Sequence, residues 1–343
     1  MQRYGYETLN SSLVSVVIPA FNAEATLDET LRSVRSQTHS CLEIIVVDDG
    51  STDGTCTIAR AHAAVDTRVT LISQENGGVA SARNAGWQIA HSNLIAFVDS
   101  DDLWSPGKIE RQLEVMLSGG DQVGLVYTWF DVIDERSQLR FRVKGRDITG
   151  DVLPHTLRGN FVGHGSSPLI RREALVHAGG FDSRLRNAGV HGCEDWLLYY
   201  RIATRFHFGL VPEHLTGYRV ASSRMSSDRP RMFKSFRMVA DEIKLNNPKQ
   251  SADVDDGIRF YLRFLISEAL TFQDFEQIWP LLSSWTCEHP SDFVAVPTSM
   301  LASKIAFHLR WIAFALIGRP VRKVKRPFAI GEPSTTAAGV NGE

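Results

Sequence analysis

The chain is poor in cysteine: Cys41, Cys56, Cys193 and Cys287 are its only four in 343 residues, and no two form a CxxC pair. That scarcity excludes a disulfide framework and a zinc ribbon, and it fits a reducing compartment. No run of about 18 uncharged apolar residues occurs, so no segment is expected to span a bilayer. The opening MQRYGYETLNSS lacks the apolar h-region of a signal peptide, and a cytoplasmic start is expected. Neither charge sign is in excess, with 37 Lys+Arg against 39 Asp+Glu. A net charge of −2 argues against a protein built mainly to hold nucleic acid. No GxGxxG follows the first apolar run and no GxxxxGK[ST] occurs anywhere, which makes dinucleotide-binding and P-loop readings poor. What remains is a globular composition, 43% hydrophobic and 22% charged. It provides for one large α/β domain with an appendage, or for two ordinary domains.

The first hundred residues alternate in period. LVSVVIP (13–19), LEIIVVD (42–48), VTLIS (69–73) and LIAFVD (94–99) are short β-branched runs and read as strands buried on both faces. Between them lie helical spacings, clearest where Leu27, Leu31 and Val34 recur at i, i+4 and i+7. Strand and helix in turn predict an α/β fold with a mostly parallel sheet and helices on both faces. Ligands of such sheets bind outside the carboxyl ends of the strands. After them come a helix from Ser105, a strand over 122–133, a strand–helix unit over 166–182 and a helix over 193–205. Past about residue 230 the spacing is mostly helical. The expected division is a catalytic domain 1–230, a helical region 231–328 and a disordered tail 329–343.

Three of the polar clusters follow predicted strands. In VVDDGSTDGT, Asp48 and Asp49 can accept hydrogen bonds from a base or ribose, or the turn can simply cap the next helix. In QENGGVASARNAG, Arg83 and Asn84 lie one to two turns into a helix. Arg83 can meet an anion, an acid from a neighbouring loop, or only a structural partner. In VDSDD, Asp99, Asp101 and Asp102 crowd like charges, which is costly unless a cation or partial protonation relieves it. Hard divalent ions such as Mg²⁺ or Mn²⁺ suit such oxygens; the alternative is a helix cap. CEDW adds Glu194 and Asp195, either as acids complementing a helix dipole or as a source of a general base. An aspartate at its ordinary pKa of about 3.9 is already ionised at neutral pH, so no special activation is expected. His164 and His191 sit in glycine-flanked loops, and Trp104, Trp129 and Trp196 can stack on a sugar or fill a core.

Taken together, SVVIPAFNAEATLDETLRSVRSQ, EIIVVDDGSTDGT, NGGVASARNAG, AFVDSDDLWSPGKIERQ, SSPLIRREALVHAGGFD and EDWLLYYRIA closely resemble the family-2 glycosyltransferases of GT-A fold, over roughly residues 13–220. The resemblance implies a metal-dependent inverting transferase that uses a nucleotide-diphosphate sugar, most often a uridine one. By the same resemblance Pro19, Ala20 and Phe21 line the nucleoside pocket, Asp49 holds the base, and Arg83 and Asn84 fall near the nucleotide. Asp99 and Asp101 become the D-x-D that holds the Mn²⁺ or Mg²⁺, with Asp102 beside them. Asp195 becomes the general base, with Glu194 beside it.

The chain departs from the family pattern in three places. Many relatives have a histidine where YRVASS has Ala221, which puts metal ligation there in question and leaves Arg219 to meet phosphate. The stretch before Cys193 is long and is expected to reshape the acceptor pocket around His191. No QxxRW follows Asp195, so one sugar per encounter is expected rather than processive synthesis. Residues 299–327 are apolar but interrupted, and end in a basic run. They read either as a peripheral membrane contact suited to a glycan or lipid-linked acceptor, or as a packed helix. The competing functions are a degenerate nucleotide-sugar-binding protein and a sugar nucleotidyltransferase. The latter needs a Gly-rich basic loop after the first strand, where this chain has AFNAEAT.

Overall fold

The structure is a computed structural model that describes residues 11–143, 145–190, 192–220, 228–271, 274–286 and 327–330. Four β-branched segments form strands β1 (Val14–Ala20), β2 (Leu42–Asp48), β3 (Val69–Ser73) and β4 (Leu94–Phe97). Every position of β1 and of β4 is buried. Such strands are covered on both faces, which is why they show no polar alternation. Successive side chains of one strand enter different cores, as the two-residue period requires. Val17, Ile45, Val47 and Phe97 face one core; Val16, Ile18, Ile44 and Val46 face the other.

Helices α1 (Leu27–Arg35), α2 (Thr55–Val65), α3 (Val79–Ile89) and α4 (Lys108–Ser118) fill the crossovers. The second core takes Leu27, Leu31 and Val34 of α1 and Ile109, Leu113 and Met116 of α4. The first takes Ala80 and Ala82 of α3. Contact between α3 and β1 is close: a Cβ on Gly86 would stand 2.3 Å from Val17 Cγ1.

Strands β5 (Leu103–Trp104), β6 (Val123–Ile133), β7 (Leu139–Val143), β8 (Leu169–Arg171) and β9 (His207–Arg219) extend the sheet. Its order is β3-β2-β1-β4-β8-β6-β9-β5, with β7 paired to β6. The first four strands are mutually parallel, as is the β6–β9 pair. Strand β8 runs antiparallel to both β4 and β6, and β5 and β7 are antiparallel to β9 and β6. The sheet is therefore mixed but mostly parallel. Neither β5 nor β7 is among the strands expected from the sequence.

Short helices α5 (Leu153–Thr156), α6 (Arg172–Ala178) and α7 (Arg184–Asn187) precede α8 (Glu194–Ala203). Beyond them lie α9 (Arg229–Asn246), α10 (Ser251–Thr271) and α11 (Ile278–Thr286). These last three share a core with earlier residues: Phe233, Phe236, Ile258 and Leu262 pack with Leu157, Leu185, Trp196 and Tyr200. The Trp196 and Phe236 rings stack at 4.2 Å. Among the described residues no helix is long and apolar enough to cross a membrane. Residues 299–326 of the proposed membrane contact lie outside the described residues.

Candidate active site

The carboxyl ends of β1 and β2 open onto loops that are bonded to each other. The Asp49 amide donates to the Ala20 carbonyl at 2.8 Å. Asn22 Oδ1 accepts from the Thr52 amide at 2.9 Å, and Glu24 Oε2 accepts from the Gly54 amide at 2.7 Å. Pro19 and Ala20 are buried in the last residues of β1, whereas Phe21, just beyond, is 50% exposed. Of the three, Phe21 alone offers a ring face to solvent at this edge.

Asp49 is buried and its carboxylate is engaged on both oxygens. Oδ1 accepts from Gln74 Nε2 at 2.7 Å and the Gly77 amide at 2.8 Å, while Oδ2 accepts from the Gly78 amide at 2.7 Å. Gly78 takes φ 84, a conformation that favours glycine, and precedes the first turn of α3. Asp49 thus anchors the loop after β3 and the start of α3. Asn84, one turn further, clamps Phe181: its Oδ1 accepts from the Phe181 amide at 2.9 Å and its Nδ2 donates to the Phe181 carbonyl at 2.7 Å. Those bonds account for Asn84 as a residue that holds the loop around Phe181 in place.

Arg83 connects the two acidic motifs. Its guanidinium, 4% exposed, donates from Nη2 to Asp99 Oδ1 at 2.6 Å and from Nη1 to Glu194 Oε1 at 3.0 Å. Burial alone would lower its pKa, but the charges of Asp99 and Glu194 raise it above the ordinary arginine value. The residue stays cationic and draws DSDD and ED, about ninety-five residues apart in the chain, to one place.

Within DSDD the three acids differ. Asp99 is 28% exposed and keeps one carboxylate oxygen clear of Arg83. Asp101 is pushed up to about 6 by burial and by the Asp99 charge, with Arg219 opposing. Asp102 is 1% exposed. Its Oδ2 accepts from Ser166 Oγ at 2.5 Å and its Oδ1 from the Arg219 amide at 2.8 Å. Burial, then Asp101 and Asp99, push its pKa well above the usual carboxylate range. Asp102 is a bolt behind the site.

Arg219 corrects an expectation. Its side chain donates to the Asp101 carbonyl at 2.6 Å, the Asp134 carbonyl at 3.1 Å, Ser137 Oγ at 3.0 Å and Glu29 Oε2 at 2.8 Å. Only 5% exposed, it is consumed inside the fold and does not stand ready for phosphate. Ala221 and His191 lie outside the described residues.

Asp195 opens α8. Its Oδ1 accepts from the Trp196 amide at 2.7 Å and its Oδ2 from Asn160 Nδ2 at 2.9 Å. Burial and the adjacent Glu194 raise it to about 7, with Arg83 opposing. The expectation of an aspartate at its ordinary value is therefore wrong: a desolvated carboxylate beside another acid resists ionisation. Preceding it, Cys193 has φ 64 and ψ 1, a left-handed conformation at the helix N-cap.

The remaining candidates divide plainly. His164 is buried, stacked on Tyr218 at 4.9 Å, and held down to about 3 chiefly by burial, so it is neutral. Trp104 and Trp196 are core residues whose indoles donate to the Ser166 and Thr156 carbonyls. Trp129 stays half-buried beside His214. Sequence reasoning missed Asn160 and Ser166, which no local spacing marks.

Comparison with known proteins follows this geometry. The profile described as Glycosyl transferase family 2 matches residues 15–178. An uncharacterized glycosyltransferase of Nostoc sp. (strain PCC 7120) is 38% identical over 222 residues, 62% of this chain and 67% of the relative. The chain belongs to glycosyl transferase family 2. WfgD of Escherichia coli, named as a UDP-Glc:alpha-D-GlcNAc-diphosphoundecaprenol beta-1,3-glucosyltransferase, is 35% identical over 142 residues, 41% of this chain and 54% of WfgD. The chain spans 42%, 62% and 34% of the length of three further curated relatives that it matches. Among solved structures, residues 1–349 of S. aureus TarS in complex with UDP-GlcNAc align with TM-score 0.57 at 17% identity, over 82% of this chain and 83% of that one. The mannosyltransferase PcManGT of Pyrobaculum calidifontis, in complex with GDP-Man and Mn2+, aligns with TM-score 0.53 at 19% identity, over 86% and 80%. These likenesses establish a GT-A-like fold.

Proposed function

We propose that this chain is an inverting, non-processive glycosyltransferase that moves a sugar from a nucleotide-diphosphate sugar, a UDP-sugar first among them, to a hydroxyl of a surface-glycan or lipid-linked acceptor. The observation that carries the reading is the joining of Asp99 and Glu194 through one buried arginine. It brings a D-x-D and a second carboxylate, Asp195, to the carboxyl end of the sheet, where such folds bind ligands. The relatives lend support: WfgD is named for a UDP-sugar donor and a lipid-diphosphate acceptor, and TarS was solved with UDP-GlcNAc.

The acids present fit a divalent ion. Among the described residues no group of three or more His, Cys, Asp or Glu could hold a metal alone. Mg²⁺ and ions like it usually take one or two carboxylates and complete their shell with water and substrate phosphates. Asp99, with a free oxygen, and Asp101, crowded by it, would hold the ion; it would neutralise charge developing on the leaving diphosphate. PcManGT, similar in fold, was solved with Mn2+. Asp195 accepts the proton of the attacking hydroxyl, its carboxylate fixed by the Trp196 amide and Asn160. Phe21 offers a face for the base, and Asp49 shapes the loop beneath it.

The test is release of nucleoside diphosphate from a panel of UDP- and GDP-sugars with Mn²⁺, Mg²⁺ or EDTA, comparing the chain with Asp195→Asn. Metal-dependent hydrolysis of one donor, abolished in the variant, supports the reading and names the sugar. Failure of any nucleotide to bind in the presence of metal would remove the donor-site assignment.

A further inference from the structure

We infer that Asn160 is a positioning residue for Asp195, a donor that fixes the plane of the base and favours its ionised form. The inference rests on the reading of Asp195 given above and adds a residue to it. Asn160 lies on the loop between α5 and β8, 35 residues before Asp195 in the chain. Its Oδ1 accepts from the amides of Val162 at 3.1 Å and Gly163 at 3.0 Å. Two backbone donors on one side decide which way the amide is turned, because nitrogen cannot accept them. The NH₂ must then face Asp195, where Nδ2 donates to Oδ2 at 2.9 Å. Among the described residues no other side chain donates to this carboxylate.

The surroundings show why a fixed donor matters. Glu194 and Asp99 oppose ionisation of Asp195, and Arg83 favours it. The other titratable groups facing it, Cys193, Tyr199 and Tyr261, are themselves held neutral by burial. Arg83 is engaged with Asp99 and Glu194. That leaves Asn160 to hold Oδ2, with the Trp196 amide on Oδ1. The same loop is tied to the other half of the site. The Tyr199 hydroxyl donates to the His164 carbonyl at 3.1 Å, and the Asp99 amide donates to Ser166 Oγ at 3.0 Å. A stretch of seven residues, 160–166, therefore runs from the base to the D-x-D.

Asn160→Leu, of similar shape, tests the role directly, since it removes the donor without placing a second carboxyl beside Asp195. The full chain, labelled with carbon-13 at aspartate carboxyls, is titrated by NMR, with the Asp195 signal assigned from Asp195→Asn. Mn²⁺-dependent hydrolysis of UDP-glucose and UDP-N-acetylglucosamine is followed against pH in parallel. In Asn160→Leu the Asp195 titration should rise by about one unit or more, because the carboxylate loses a hydrogen bond that favours its charged form. A one-unit rise from about 7 lowers the ionised fraction at pH 7 about fivefold. The value of kcat should fall accordingly, with KM for the donor unchanged and activity recovering at higher pH. Asn160→Ala, also without a donor, gives the same readout if the leucine variant does not fold. An unchanged Asp195 titration in either folded variant overturns the inference. Full hydrolysis by Asp195→Asn instead overturns the base assignment, while the NMR shift still decides whether Asn160 holds Asp195.

Discussion

At the scale of single residues, the chemistry is set by charge held out of water. Arg83 is the one to remove first. Replacing it with Met leaves the buried Glu194 and the partly exposed Asp99 without their cation, and breaking a fully buried pair in this way costs about 3–5 kcal/mol. A loss of unfolding free energy of up to that size, read as a lower denaturant midpoint, is expected, together with loss of metal-dependent nucleotide binding. Lys in its place should fail as well, because a single ammonium cannot reach both acids as a fork does. Asp195 gives a pH dependence with a defined sign. Its folded value of about 7 lies above the ordinary 3.8, so below that pH it is protonated and could not serve as the base proposed above. Transfer should rise through pH 7 and be lost on acidification. The same raised value means that its stabilising contribution is fully present below about pH 4 and is lost as pH rises through 7. Asp195→Asn should therefore melt higher than the unaltered chain at pH 8, by calorimetry, while losing turnover.

Elements explain what the sequence could and could not disclose. Strands β1 to β4 were legible because burial on both faces leaves an unbroken apolar run. Strand β7, LRFRV, carries the period-two alternation of a half-exposed strand and went unread, whereas β5 has only two residues, too few to show a period. The acids of the site were legible from their crowding, but their individual states were not. Asp102 becomes a bolt through Ser166, 64 residues away, and Asp195 meets Asn160 35 residues away. No spacing within a segment encodes contacts of that separation. Packing of α3 on β1 supplies an element-scale test. Gly→Ala within a helix ordinarily gains about 1 kcal/mol. At Gly86 the new methyl would stand 2.3 Å from Val17 Cγ1 and 3.1 Å from Val47 Cγ2. Overpacking of about 1–3 kcal/mol should outweigh the gain. Gly86→Ala is expected to lower the denaturant midpoint, against the usual direction.

Across the whole molecule, the two acidic motifs and the helices after residue 228 depend on each other. Helix α8 turns Glu194 and Asp195 toward Arg83 and the site on one side, while Trp196, Leu197 and Tyr200 join the core shared with α9, α10 and α11. A chain ended after Asp228 loses Phe233, Phe236, Val239 and Ile258 from that core. It should bind a hydrophobic dye, lose near-ultraviolet circular dichroism and show no donor hydrolysis, whereas a boundary of independent domains would leave hydrolysis intact. Cys193 stands at the junction, left-handed at φ 64 beside Gly192 at φ 79. Glycine visits that region freely and asparagine and aspartate several-fold more often than other residues, while β-branched side chains are genuine outliers there. In a library randomised at this one codon and selected for function, survivors should be rich in glycine and asparagine and nearly empty of valine, isoleucine and threonine. The thiol would be dispensable, and what selection preserves at position 193 is a backbone angle.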